Sequence, residues 1–344
     1  MTAVLEPEPQ TRLQPQAQLQ PQITLEPVDG VEITTLIDNS SDLLLRSDDI
    51  ARRRGFGDGA RVEAPLMLDP QLPRFLIAEH GFSAMVTITK GGRSRRLMFD
   101  AGISVGGLAH NLDVLELKLA DFEAIVMSHG HFDHVGGLNG LIKQAGAARL
   151  PMLVHPDFWL RRRVVVPGQE PFELFAVSRG ALEGAGFEII EGEEPSLLLD
   201  GSALITGEVA RTTEFERGFS VHQARRNDEW TPDPLILDDQ ALIVNVRDRG
   251  LVVLTGCGHS GIVNIVRHAQ ALTGETRVRA IVGGFHLGGP LFEPIIPQTV
   301  EALAAIAPDA IVPAHCTGFA ATRAIADALP DALLLNAVGT RFVL

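Results

Sequence analysis

Short apolar runs rich in β-branched residues, separated by Gly, Asp, Asn and Pro clusters, recur from residue 31 to residue 335. Residues 31–37 read as a first strand, closed by the turn cluster Asp38-Asn39-Ser40-Ser41. Residues 84–89 and 96–100 flank Lys90-Gly91-Gly92-Arg93, a hairpin signal, and 241–246 and 251–255 repeat that pattern around Arg247-Asp248-Arg249-Gly250. Between the hairpins the spacing predicts a helix over 108–119, a buried strand over 122–127 and another strand over 151–155. Beyond the second hairpin, helical patterns over 262–272, 300–306 and 320–329 alternate with strands over 278–282, 310–315 and near 332–335. Two stretches resist this reading. Residues 46–64 resemble an irregular loop, and 156–235 hold many turn residues, which suggests a substrate-binding insertion or lid.

The two halves are organised alike, each with a hairpin followed by strands joined through helices. An α/β (α+β) fold of two mixed sheets packed face to face, with helices outside, accommodates that order. Residues 1–22, rich in Pro and Gln, read as a disordered tail, leaving 23–344 as a single domain.

Candidate chemistry concentrates where the strand over 122–127 ends. Ser128-His129-Gly130-His131-Phe132-Asp133-His134 sets three His and one Asp within six residues. A lone His is commonly a satisfied core or surface residue, but clustered imidazoles beside a carboxylate form a ligand signature for zinc or a similar divalent ion. Further His stand at other strand ends, each beside glycines that allow close approach: His259 in Thr255-Gly256-Cys257-Gly258-His259, His286 in Gly284-Phe285-His286, and His315 in Pro313-Ala314-His315-Cys316.

The His-x-His-x-Asp-His order at 129–134 resembles the signature of the metallo-β-lactamase-fold hydrolases. The resemblance implies an αββα sandwich with two divalent metal ions on one edge between the sheets, zinc first, with iron or manganese as alternatives. It carries His129, His131, Asp133, His134 and His315 over as metal ligands. It also implies that Asp100, at a strand end before Ala-Gly, orients the metal loop by hydrogen bonding. The sequence departs from the family at two points. Cys257 stands where a bridging Asp is usual, and Leu237-Asp238-Asp239-Gln240 stands where a further ligand His is usual. His222 lies in an unpersuasive context upstream, so His259 is inferred to take the missing ligand's place, with Cys257 as a thiolate ligand. These departures, with Gly-Gly-Phe-His-Leu and His-Cys-Thr-Gly, are similar to a branch called metal-dependent hydrolases of the β-lactamase superfamily II. That branch includes archaeal dihydropterin-methyl-ribofuranosyl-aminobenzene-phosphate synthases.

The reading that follows is a hydrolase using metal-activated water on a small ester, lactone, amide or phosphoester, with Asp133, His286 and His80 as catalytic candidates. A pterin-condensing transferase and a non-hydrolytic metal sensor are the alternatives. No Gly-x-Ser-x-Gly frame supports a serine nucleophile. Arg161, Arg162 and Arg163 could receive a phosphate or carboxylate. Trp159 and Phe285 are assigned to packing. Composition narrows the partners. Of 344 residues, 43 are acidic and 29 basic, a formal net charge of −14 that disfavours nucleic acid and anionic membranes and leaves a small-molecule substrate, with a homo-oligomer open. Two distant cysteines, no long apolar run and no basic-then-apolar N-terminus point to a cytoplasmic protein.

Overall fold

In a computed structural model of the protein, residues 22–145 and 150–344 are described, so nearly all of the expected tail over 1–22 lies outside the described residues. Two large mixed sheets dominate. One has eight strands in the order Phe187–Glu191, Leu150–Val154, Ala124–Val126, Arg93–Phe99, Ser83–Lys90, Gly30–Ile37, Arg341–Val343 and Ala51–Arg52. The other has six, in the order Ser196–Leu198, Ala203–Ile205, Leu242–Val246, Gly250–Thr255, Val278–Gly284 and Ala310–Ala314. In each sheet an antiparallel hairpin leads into parallel strands reached through helices.

The two-residue period of the strands builds three layers of core. Val252 and Leu254 face the other sheet, alongside Val282, Val312, Val86, Leu97 and Phe99. Leu251, Val253, Ile281 and Ile311 point outward and pack under the helices Ile262–Thr273, Ile296–Ile306 and Phe319–Ala328. Met98 and Ile125 do the same beneath Gly107–Val114 and Leu138–Ala145. Strand Gly250–Thr255 is buried along its whole length because both of its faces are covered. The architecture is therefore the αββα sandwich.

Three expectations shift. The helix expected over 108–119 stops after Val114, where Glu116 adopts φ 58° and turns the chain. The strand expected near 332–335 contributes a single bridge, Leu333 to Ile311. The last strand is Arg341–Val343, which returns to pair with Gly30–Ile37 in the other sheet. The stretch 156–235 is not one continuous excursion. Its middle supplies edge strands to both large sheets, while Arg162–Val164, Phe172–Glu173, His222–Arg226 and Glu229–Pro232 form a separate four-stranded sheet. Among the described residues no helix is long and apolar enough to cross a membrane.

Candidate metal centre

Parallel strands from both sheets end on one edge of the sandwich. Strand Ala124–Val126 delivers 128–134, Gly250–Thr255 delivers Cys257 and His259, Val278–Gly284 delivers His286, and Ala310–Ala314 delivers His315. Strand Arg93–Phe99 delivers Asp100, wholly buried at φ 56°. Asp100, His286 and His315 all hold left-handed backbone, φ 56°, 44° and 49°. Strain of this kind in non-glycine residues clusters where side chains must be aimed.

Asp100 organises the metal loop. Its Oδ1 accepts the Ser128 N–H at 2.7 Å and its Oδ2 accepts the Ser128 hydroxyl at 2.7 Å. His134 Nδ1 lies 2.7 Å from the same Oδ2, so it donates there. Ser128 Oγ, having given its hydrogen to Asp100, accepts from His129 Nδ1 at 2.9 Å. Gly256 leaves room for this network, since a Cβ there would come within 2.1 Å of Ser128 Oγ and 2.6 Å of Asp100 Oδ2.

A second chain orients His131. His222, fully buried, faces the Asp233 carbonyl through Nδ1 at 3.0 Å, and a carbonyl only accepts. His222 Nε2 is therefore an acceptor, and His131 Nε2, 3.0 Å away, donates to it. These assignments leave lone pairs on His129 Nε2 and His131 Nδ1.

Those lone pairs converge. His131 Nδ1 lies 3.0 Å from His129 Nε2 and 3.1 Å from His259 Nε2. Burial, reinforced by neighbouring positive groups, lowers His129, His131 and His259 well below the ordinary imidazole range. His129 Nε2 and His131 Nδ1 face each other with no proton between them and repel unless a cation lies there, so these two nitrogens, with His259 Nε2 beside them, fit a divalent ion. Beside it, Asp133, His134, Cys257 and His315 offer four ligand atoms within 4.8 Å of one another. His134 Nε2 is 3.1 Å from Cys257 Sγ, and His315 Nε2 is 3.2 Å from Asp133 Oδ2, buried and without hydrogen-bond alignment. Burial alone would lower His134, but Asp100 and Asp133 outweigh it and push it up to about 9. Burial alone would raise Asp133, but His134 and His315 hold its carboxyl well below the usual range.

The remaining candidates divide. His80, exposed, reaches the rim with Nε2 3.7 Å from Asp133 Oδ2 and its ring 4.9 Å from that of His315. The His286 ring lies tilted against that of His259, 4.1 Å between centroids, and its Nδ1 is buried without a partner. The three arginines share no anion-binding face, because successive residues near a strand point apart. Arg161 pairs with Glu173 at 2.6 Å on the surface, and Arg163 bonds Gln223 and lies over Trp230. Arg162 is buried, paired with Asp238 at 2.6 Å and with Asp233 at 3.6 Å. Phe285 is buried, whereas Trp159 is partly open and donates to Glu191.

Sequence reasoning passed over His222 and gave no role to Asp238-Asp239-Gln240. Asp238 accepts from Gly130 N at 2.8 Å, Asp239 accepts from Ser260 N at 2.7 Å, and Gln240 donates to the Met127 carbonyl at 2.9 Å. The stretch that lacks the usual ligand fastens the two loops that carry His129 and His259.

The family model described as metallo-beta-lactamase superfamily matches residues 79–315, a span that begins beside His80 and ends on His315. The chain belongs to the metallo-beta-lactamase superfamily. Within it, the chain is 28% identical over 250 residues to the 7,8-dihydropterin-6-methyl-4-(beta-D-ribofuranosyl)-aminobenzene-5'-phosphate synthase of Methanocaldococcus jannaschii, covering 71% of this chain and 83% of that protein. It is 31% identical over 260 residues to an uncharacterised protein of the same organism, covering 74% of this chain and 91% of that protein. Among solved structures, a metal-dependent hydrolase of the beta-lactamase superfamily aligns over 91% of this chain and 98% of its own, with TM-score 0.66 and 22% identity, which shows a shared fold.

Proposed function

We propose that the chain is a metal-dependent hydrolase that acts on a small ester, lactone, amide or phosphoester at a centre for two divalent cations. The observation that carries this reading is the convergence of ring nitrogens of His129, His131 and His259 beside the Asp133, His134, Cys257 and His315 group. Zinc suits both donor sets, with iron or manganese as alternatives. When bound, such ions supply Lewis acidity that lowers the pKa of water and polarises the scissile group.

The chain's own residues then have distinct tasks. Asp133, ionised at neutral pH, orients water through its acceptor oxygens. His80, lowered by burial and by His315, is neutral at neutral pH. Its Nε2, 3.7 Å from Asp133 Oδ2 on the same rim, is placed to take a proton from that water and give it to the leaving group. His222 and Asp100 hold the ligand rings in the required tautomers. A cavity of about 560 Å³ lined by Phe132, Val135, Phe175 and Val177 suits an apolar part of the substrate.

A second reading is favoured by the 28% identity to the pterin-pathway synthase, namely condensation of a pterin with an aminobenzene acceptor. The test is to assay zinc-loaded protein on a panel of phosphodiesters, lactones and thioesters, beside a pterin diphosphate offered with an aminobenzoate-type acceptor. Hydrolysis that disappears in Asp133→Ala supports the first reading. Condensation without hydrolysis replaces it with the second.

A further inference from the structure

The thiol at position 257 has a second thiol and an imidazole beside it. Cys316 follows the ligand candidate His315, and its Sγ lies 3.5 Å from the Cys257 carbonyl oxygen. The two sulfurs and one ring nitrogen of His286 sit within 4.8 Å of one another. Two thiols and an imidazole make up three corners of a tetrahedral zinc site, with the fourth open.

The surroundings are built for this cluster. A Cβ on Gly284 would come within 2.8 Å of Cys316 Sγ and 3.1 Å of Cys257 Cα, so glycine alone leaves the sulfurs their space. His286 is held in left-handed backbone, φ 44°, and its ring is walled in by His259, Phe219 and Phe292. The buried Nδ1 of His286 has no hydrogen-bond partner. An orphaned buried nitrogen is costly unless something binds it.

We propose that Cys257, Cys316 and His286 form a third cation site, selective for zinc or a softer ion, which shares the Cys257 thiolate with the neighbouring centre. A thiolate has lone pairs enough to bridge two cations, and sulfur favours borderline and soft ions over magnesium or calcium. The proposal rests on Cys257 being a ligand of the two-cation centre. His286 is then a ligand rather than a proton donor, which leaves that task to His80.

The experiment is metal titration of chelator-stripped, phosphine-reduced protein with Zn²⁺ and with Co²⁺, read by elemental analysis and by thiolate-to-cobalt charge-transfer absorption. Wild type is expected to take three zinc ions per chain. Cys316→Ser and His286→Ala should each take two, with the charge-transfer intensity of Cys316→Ser falling about threefold as three thiolate–cobalt bonds become one, and far-UV circular dichroism confirming the fold of both. Saturation of wild type at two ions, or a third ion retained in both variants, overturns the proposal. Asp133→Ala separates the two readings. It should lose an ion from the centre while the one that depends on Cys316 remains.

Discussion

At the scale of single residues, Asp100 and His222 matter because they decide which nitrogen of each neighbouring imidazole carries a proton. Asp100→Asn turns one acceptor oxygen into a donor facing Ser128 or His134, both of which donate to it. The expected result is a loss of about 10- to 100-fold in zinc affinity, read by chelator competition. His222→Phe should lower affinity in the same way, while His222→Gln, whose carbonyl can still accept from His131 Nε2, should recover part of it. The pH dependence has a definite sign. His134 is raised from its ordinary 6.5 to about 9. Its proton therefore stabilises the metal-free fold fully below pH 6.5, and that contribution is lost as pH rises through 9. A cation must displace the same proton, so affinity should rise between pH 6.5 and 9, by at most about tenfold per unit for one proton released. Affinity independent of pH over that window would contradict the assignment. The cluster at 129–134 was legible in the sequence because one loop carries four metal-capable side chains, and Asp100 was reached through the family resemblance. His222 was not, because Phe219-Ser220-Val221-His222-Gln223 has no local mark. It meets His131 only through pairing of His222–Arg226 with Arg162–Val164.

At the scale of elements, the strands were readable where a short, continuous apolar run marks both faces as covered, as in Gly250–Thr255. They were unreadable across 156–235, where short strands join three different sheets. Arg161-Arg162-Arg163 misleads for the same reason. Contiguity in sequence suggests one basic patch, but the middle guanidinium is drawn inward to Asp238. Arg162→Met would leave Asp238 buried and unpaired beneath the Gly130 amide, at a cost of about 3–5 kcal/mol, measured by denaturant unfolding. The small sheet and its neighbouring loop also carry Phe172 and Phe175 at the surface, and Phe175 packs edge-on against Phe132 at 5.7 Å between ring centroids. Phe175→Ala should raise KM several-fold for substrates with an apolar group and leave zinc content unchanged. An unaltered KM across such substrates would remove the cavity from the substrate path.

At the scale of the whole molecule, two similarly organised halves bring their parallel strand ends to one edge, so the candidate donors meet only when both sheets are packed together. Neither half holds a complete donor set. His129, His131, Asp133 and His134 come from one sheet, and Cys257, His259 and His315 from the other. Cation binding should therefore stabilise the assembled sandwich against separation of its sheets, and the melting temperature should rise with zinc concentration. The most direct test of the central claim is an anomalous difference map from crystals of zinc-loaded protein. Peaks are predicted among His129, His131 and His259 and among Asp133, His134, Cys257 and His315. A fully loaded crystal with no anomalous density at either position would contradict the account.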